Sequence, residues 1–327
     1  MKAMIAEPLR IQQLLRLSSA VACAVMCIFL LIAPAAIANA LAGVQALIPS
    51  AEDRNPGAVK QLTANSTAKE EDCAVSVALI KACVDGDLET VKLLLERGAS
   101  VNGKGCEKNE DSSPLYAAAQ AGNIELAKLL MDRGADVNLA AGEFKETPLI
   151  EAARVGNLEL VKLFLDKGAN VNHEGGPFER SPLMFAVTRN NPELVKLLLD
   201  RGADVKAEGG DEVSRPYNAL TLAALHGNLE ILRMLLDKLK DVNFADSDGG
   251  SMLMAAAEGG DSDTVRYLLD NGADVHARNR FGTTDLIWAA RYGHTETVKL
   301  LFERGAEVNA MAEVEELGLS IPDDSGT

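Results

Sequence analysis

Residues able to do chemistry are few in this chain and do not converge. His173, His226, His276 and His294 stand far apart, and no HExxH pair places two of them on one helical face. The five cysteines form no CxxC, no glycine loop has the spacing that cradles a phosphate, and no GxSxG elbow presents a serine. Asp246-Ser247-Asp248-Gly249 resembles the start of a calcium loop, where alternating carboxylates converge on a hard cation. It lacks the ligand at the fifth position and the distal Glu, so it reads as a β-turn. The remaining carboxylates recur at fixed positions of a repeated segment, as solvated faces do. The expectation is no catalytic residue, no metal and no cofactor, with an enzyme the least favoured class.

The repeated segment is the dominant feature. Residues 146–172 read ETPLIEAARVGNLELVKLFLDKGANVN, and close copies start at Ser112 and Arg180. Weaker copies start at Tyr217, Gly250 and Thr283, and a divergent first copy covers about Val77 to Asn102. The Gly that ends the first helix, or its equivalent, falls at Gly86, Gly122, Gly156, Asn190, Gly227, Gly260 and Gly293, which gives a period of 33 to 37. Each such unit buries its apolar face only against its neighbours, so the period decides the architecture.

Over about Val77 to Asn309 the chain resembles the ankyrin-repeat family. The resemblance implies an all-α solenoid of seven helix-turn-helix repeats joined by β-turn fingers, spanning residues 71–309. Two insertions, Gly103–Asp111 and Ala207–Arg215, are expected as lengthened fingers. Within a unit, Thr147 caps a helix that opens on Pro148, small residues such as Ala152 and Ala153 allow close packing, and Gly168 closes the second helix in a left-handed turn. The family's usual signature His is replaced by Ile80, Tyr116, Ile150, Met184, Thr221, Met254 and Ile287, so apolar packing must hold those places. His294 occupies a Gly-His position that is structural in the family. Asn190 stands for Gly and tolerates positive φ, whereas Leu239 replaces a helix-ending Gly. A different ending is therefore expected in the fifth copy.

The N-terminus has Lys2, Arg10 and Arg16, an apolar run from Leu17 to Ile32, and small residues at Ala36, Ala38 and Ala40. Residues 1–40 thus read as a secretory signal peptide, with Ala38-Asn39-Ala40 the preferred cleavage site. The rival reading is an uncleaved anchor, since including Ala33–Ala38 gives the run a spanning length. Either reading expects the repeats outside the cytoplasm: periplasmic or secreted, or anchored to the inner membrane and facing the periplasm. Cys23 and Cys27 read as small apolar residues of that run. Residues 41–70 read as a linker, and residues 310–327 as a short capping helix with an acidic tail. Cys83 is expected to pack in the core, and Cys73, placed just before the first helix, to pair with Cys106 in the first long finger.

The formal net charge is −16, and the leader carries +2 of it, leaving −18 for the rest. That argues against nucleic acid and anionic membrane surfaces and admits a basic protein partner. Once the leader is removed, no membrane association is expected. Partners of ankyrin-like stacks dock on the concave side, on fingers and exposed first-helix positions. By register these are Ala117, Gln120, Ala121, Glu151, Arg154, Val155, Phe185, Thr188, Arg189, Leu222, Leu225, His226, Ala255, Glu258, Gly259, Trp288, Arg291 and Tyr292. The fingers add Phe144, Phe178 and Phe281. Aromatic residues make up only 4% of the chain, yet six map to this face with Arg154, Arg189 and Arg291, a composition that fits interface anchors. The expected function is protein binding, as an inhibitor or immunity protein or as a scaffold or chaperone for an exported enzyme. The alternative is a membrane-anchored organiser.

Overall fold

The computed structural model describes residues 69–103, 112–142, 144–210 and 216–312. Its helices pair in seven successive units: α1 (Lys69–Asp85) with α2 (Leu88–Glu96), α3 (Pro114–Gln120) with α4 (Ile124–Asp132), α5 (Pro148–Val155) with α6 (Leu158–Asp166), and α7 (Pro182–Thr188) with α8 (Pro192–Asp200). A two-residue strand β1 (Glu208–Gly209) and its partner β2 (Tyr217–Asn218) follow. Then come α9 (Ala219–Leu225) with α10 (Leu229–Leu239), α11 (Met252–Gly259) with α12 (Ser262–Asp270), and α13 (Asp285–Arg291) with α14 (Thr295–Glu303). First helices pack on first helices along the stack, and each also packs on its own second helix. The result is the all-α solenoid that the period implies, and no described helix is long and apolar enough to cross a membrane.

The local chemistry is the same in unit after unit. Ser113, Thr147, Ser181, Ser251 and Thr284 each accept the N3 amide of a first helix, while Asp87, Asn123, Asn157, Asn191 and Asp261 do so for second helices. Pro114, Pro148 and Pro182 open their helices where no amide is needed. Leu160, Val161 and Phe164 of α6 are fully buried, as are Leu126 and Leu130 of α4 and Leu194 and Leu198 of α8, so one apolar seam runs between units. Ala152, Ala153, Ala223, Ala224, Ala256 and Ala257 line the first-helix seam. The helices approach most closely at Gly259 of α11, where any Cβ would lie 1.9 Å from the Leu225 carbonyl oxygen.

Between units, an asparagine clips each joint it occupies. Asn138 donates to the Gly168 carbonyl at 3.1 Å and accepts the Asn170 amide at 2.8 Å. Asn102, Asn172 and Asn243 repeat the pattern on Gly134 and Asp136, Gly202 and Asp204, and Gly272 and Asp274. The fingers turn back through the bridges Ala141 to Glu146, Gly175 to Arg180 and Ala245 to Ser251 and through the β1–β2 ladder. Backbone bonds tie tip to tip: Gly176 donates to Phe144, Gly210 to Phe178 and Arg280 to Asp248.

Several expectations need correction here. The first helix starts at Lys69. Cys73 therefore lies inside α1, not ahead of it. The Cys73–Cys106 pairing falls outside the described residues at Cys106, as do residues 1–68, most of the first long finger, and residues 313–327. Asn190 does take positive φ, at 51°, and Gly168 closes α6 at 86°. The fifth unit ends as differently as Leu239 requires. Helix α10 has 11 residues against 9 in the other described second helices, and Lys240 takes the left-handed turn at φ 62°.

Candidate functional site

The concave side is built from the fingers and one edge of the first helices. Phe144 and Tyr292 are each 49% exposed and Phe178 is 38% exposed, unusual values for large aromatic side chains in water. Phe185, Phe281 and Leu225 are half-buried, and Arg189, His226 and Arg291 are exposed. Two proposed anchors are not on the open surface. Leu222 is 5% exposed and Trp288 2%. Ala117 and Glu151, at the same register position, are buried with them, while Phe185 and Ala255 there are half-buried. Trp288 contributes to the core, with Tyr292 stacked 6.1 Å away and the Arg291 guanidinium 5.3 Å from its ring.

The arginines divide in a way the sequence did not reveal. Arg154 donates through Nε to Glu151 at 2.8 Å, and Arg189 donates through Nε to the Arg154 carbonyl at 2.8 Å. Tyr116 completes this cluster, donating to Glu146 at 2.6 Å and to Glu151 at 3.2 Å. Burial, then the Glu146 hydrogen bond and the Glu151 charge, push the phenol well above its usual range. Arg180, absent from the register prediction, sits differently. Its guanidinium lies 5.4 Å from the Phe178 ring, 5.9 Å from Phe185 and 5.1 Å from Tyr217. Its Nε donates to the Tyr217 hydroxyl at 3.0 Å, and that hydroxyl donates to the Phe178 carbonyl at 3.2 Å. Among the described residues the terminal nitrogens of Arg180 have no hydrogen-bond partner. Arg180 escaped notice because it belongs to the signature segment, one residue before the helix cap Ser181. Only the aromatic residues at 178, 185 and 217, read together, would have marked it.

Beyond Tyr217 lies a pocket of about 120 Å³ between the fifth and sixth units. Leu222 and Leu225 of α9, Met254 and Glu258 of α11, Tyr217 of β2 and Asp246 of the next finger line it. Asp246 belongs to the segment that resembled a calcium loop. There Gly249 donates to the Asp246 carbonyl at 2.9 Å, and Asp246 Oδ1 accepts the amides of Asp248 at 3.0 Å and Gly250 at 2.7 Å. The segment is a β-turn. Burial pushes the Asp246 carboxyl up to about 6, its two backbone hydrogen bonds pull it back, and Glu208 and Asp248 add to the rise.

Two of the four histidines have structural partners. His294 Nε2 bonds the Glu258 carbonyl at 2.8 Å, and His173 Nε2 bonds the Lys145 carbonyl at 2.9 Å. Among the described residues no three of His, Cys, Asp and Glu gather as a metal site would. Cys83 is buried, and desolvation raises its thiol far above the reactive range. The geometry offers shape, exposed rings and a caged guanidinium.

Comparison with known families agrees with this architecture. A family model described as ankyrin repeats (3 copies) matches residues 35–141, 138–209 and 220–312, and one described as ankyrin repeats (many copies) matches residues 183–236. No curated protein matches the chain.

Proposed function

The chain belongs to the ankyrin-repeat family, and from that premise we propose that it is an exported protein-binding module whose concave face receives a folded protein partner. Ankyrin repeats are protein-interaction modules, generally without enzymatic activity. The caged Arg180 carries the placement on this chain. A guanidinium fixed by three rings and one hydrogen bond has already lost most of its rotamer freedom, so a partner group meeting its terminal nitrogens does not bear that ordering cost. Exposed Phe178 beside it, Phe144 on the preceding finger and Tyr292 further along give the aromatic and arginine composition of binding hot spots. The partner carries basic residues that complement the net charge of −16. Its role is that of an enzyme or toxin held inactive, or of an exported enzyme held in place.

Export rests on residues 1–40, which lie outside the described residues. The mass of the mature N-terminus separates a cleaved leader from a retained anchor. The binding face is tested by affinity capture with the full chain from fractionated cells of the source. A parallel capture uses the Phe178→Ala/Arg180→Ala variant, with thermal melting as the folding control. A partner recovered by the wild type should fall by about tenfold or more with the variant. Undiminished recovery by a stably folded variant would remove the concave face as the binding surface.

A further inference from the structure

We propose that residues 313–322 cover the apolar end face of the seventh repeat as a shortened eighth unit, with Leu319 seated against Ile287 of α13. The inference is independent of what the concave face binds. The stack ends as an internal joint begins. Gly305-Ala306-Glu307-Val308-Asn309 repeats the Gly-Ala-Asp-Val-Asn segment, residues 134–138, that leads into the third repeat. Asn309 stands at the place of Asn138 and Asn172, which bind the repeat that follows them. Apolar groups that a following unit covers elsewhere lie open here. Ala290 is exposed, whereas its counterparts Ala153 and Ala257 are fully buried. Ile287 is half-buried, whereas Ile150 and Met184 are fully buried. Phe302 and Val308 are each 63% exposed, where Leu165 and Val171 of the third unit are half-buried. A solenoid whose terminal face is left this apolar requires a cap to stay soluble.

The path of the chain and its sequence select the occupant. Ala310–Ala312 are not helical. Arg278 Nη1 donates to the Met311 carbonyl at 3.5 Å, and a Cβ on Gly282 would lie 2.9 Å from that oxygen. The chain is thus laid across the seventh finger, as Gly176 is laid on Phe144 between earlier fingers, and it leaves Ala312 at the end face. Leu319 falls ten residues after Asn309, as Leu253 falls ten after Asn243 and Leu286 ten after His276. Leu253, at that place in the sixth unit, is buried. Val314, Leu317 and Ile321 add further apolar surface, interrupted by Glu313, Glu315 and Glu316 for the solvent side. Pro322 lacks the amide that a longer helix would need, so the unit stops short there. A second copy of the chain competes poorly for the same face. A segment tethered beside its site acts at an effective concentration of roughly millimolar.

The test is urea unfolding of the full chain followed by the fluorescence of Trp288, which lies on α13 itself. Leu319→Asp should lower the midpoint by about 0.5 M or more, and ending the chain after Ala312 should do the same. Leu319→Ala should cost clearly less in an Ile287→Ala background than in the wild type, because the two substitutions remove one contact. An unchanged Trp288 emission maximum before urea is added shows that the seventh repeat is folded in each variant. A midpoint indifferent to Leu319→Asp overturns the proposal, as do effects of Leu319→Ala and Ile287→Ala that simply add. It is also overturned by a midpoint that rises with protein concentration and falls with Phe302→Asp but not with Leu319→Asp, a result that gives the face to a second copy.

Discussion

Among single residues, Asp285 is the one most at odds with its surroundings. It occupies the first helical position that Pro114, Pro148 and Pro182 hold in other repeats, and it is 2% exposed. Its Oδ1 accepts the Leu286 amide at 2.7 Å, while among the described residues Oδ2 has no hydrogen-bond partner. Burial pushes this carboxyl up to about 7, opposed by the Leu286 amide and assisted by Asp274. A folded-state value above the unfolded one means that the folded protein favours the proton. The group is neutral in both states below about pH 4, and its destabilising effect grows as pH rises from there to about 7, then levels off. Asp285→Asn should therefore stabilise the protein at pH 8 by on the order of 2 kcal/mol, with the gain vanishing near pH 4. Asp246, raised in the same sense, stays in both proteins, so the difference between their urea midpoints across pH isolates Asp285. A difference that does not change with pH would refute the assignment. The repeat register aligns Asp285 with Pro148 of the third unit. It did not show that the carboxyl is enclosed, because enclosure depends on the preceding finger.

Among the elements, legibility follows how local the cause is. Caps, proline starts and the left-handed Gly168 are set by residues within one turn, and they could be read directly. The start of α1 at Lys69 could not, because the repeat register locates units and says nothing about a helix extending ahead of the first one. The concave face was half legible for the same reason. Register placed Phe144, Phe178 and Tyr292 correctly in the open, yet Trp288 and Leu222 are covered by neighbouring units that a single-helix register omits. Helix α10 shows a substitution whose presence could be read and whose outcome could not. Leu239 cannot enter the left-handed turn cheaply, so the helix runs on and Lys240 enters it at φ 62°. Lys240→Gly should relieve about 1 kcal/mol of backbone strain. Its ion pair with Asp237 at 3.4 Å is largely exposed and opposes little of that gain. The measurement is the chemical-denaturation midpoint, expected to rise. A fall would mean that the Lys240 side chain contributes more than its backbone geometry costs.

At the scale of the whole molecule, the seven repeats are not equally coupled. In a solenoid, stability is close to a sum of unit terms and nearest-neighbour joint terms, so a weak joint divides the stack. Asn102, Asn138, Asn172 and Asn243 clip four joints, each with two hydrogen bonds. Lys206 and His276 stand at the corresponding places before the fifth and seventh repeats. The last joint has other ties, with Arg304 on Asp270 at 2.7 Å, Arg278 on Glu307 at 2.6 Å and His294 on the Glu258 carbonyl. The joint between the fourth and fifth repeats lacks the clip, and among the described residues its hydrogen bonds run from Arg180 to the Tyr217 hydroxyl at 3.0 Å, from Tyr217 to the Phe178 carbonyl at 3.2 Å and from Asn228 to the Val187 carbonyl at 3.1 Å. Lys206 lies over Phe244 at 5.3 Å, Lys238 reaches Asp200 only at 4.0 Å, and the Gly whose carbonyl a clip would use is replaced by Leu239. Two independent substitutions thus disable one clip, and they do so where Arg180 of the fourth repeat meets Tyr217 of the fifth. The single tryptophan, Trp288, reports from the seventh repeat, on the far side of that joint. Urea unfolding followed by its fluorescence should therefore not coincide with unfolding followed by far-UV circular dichroism, which averages over all repeats. Lys206→Asn/Leu239→Gly should restore the clip and bring the two curves together. A partner bound across Arg180 and Tyr217 at saturating concentration should do the same without any substitution, because ligation adds free energy only to the state in which both repeats are folded. Coincident curves in the unliganded wild type would show that the stack is already one cooperative unit, and the docking face would then lie on a rigid body instead of across an unclipped joint.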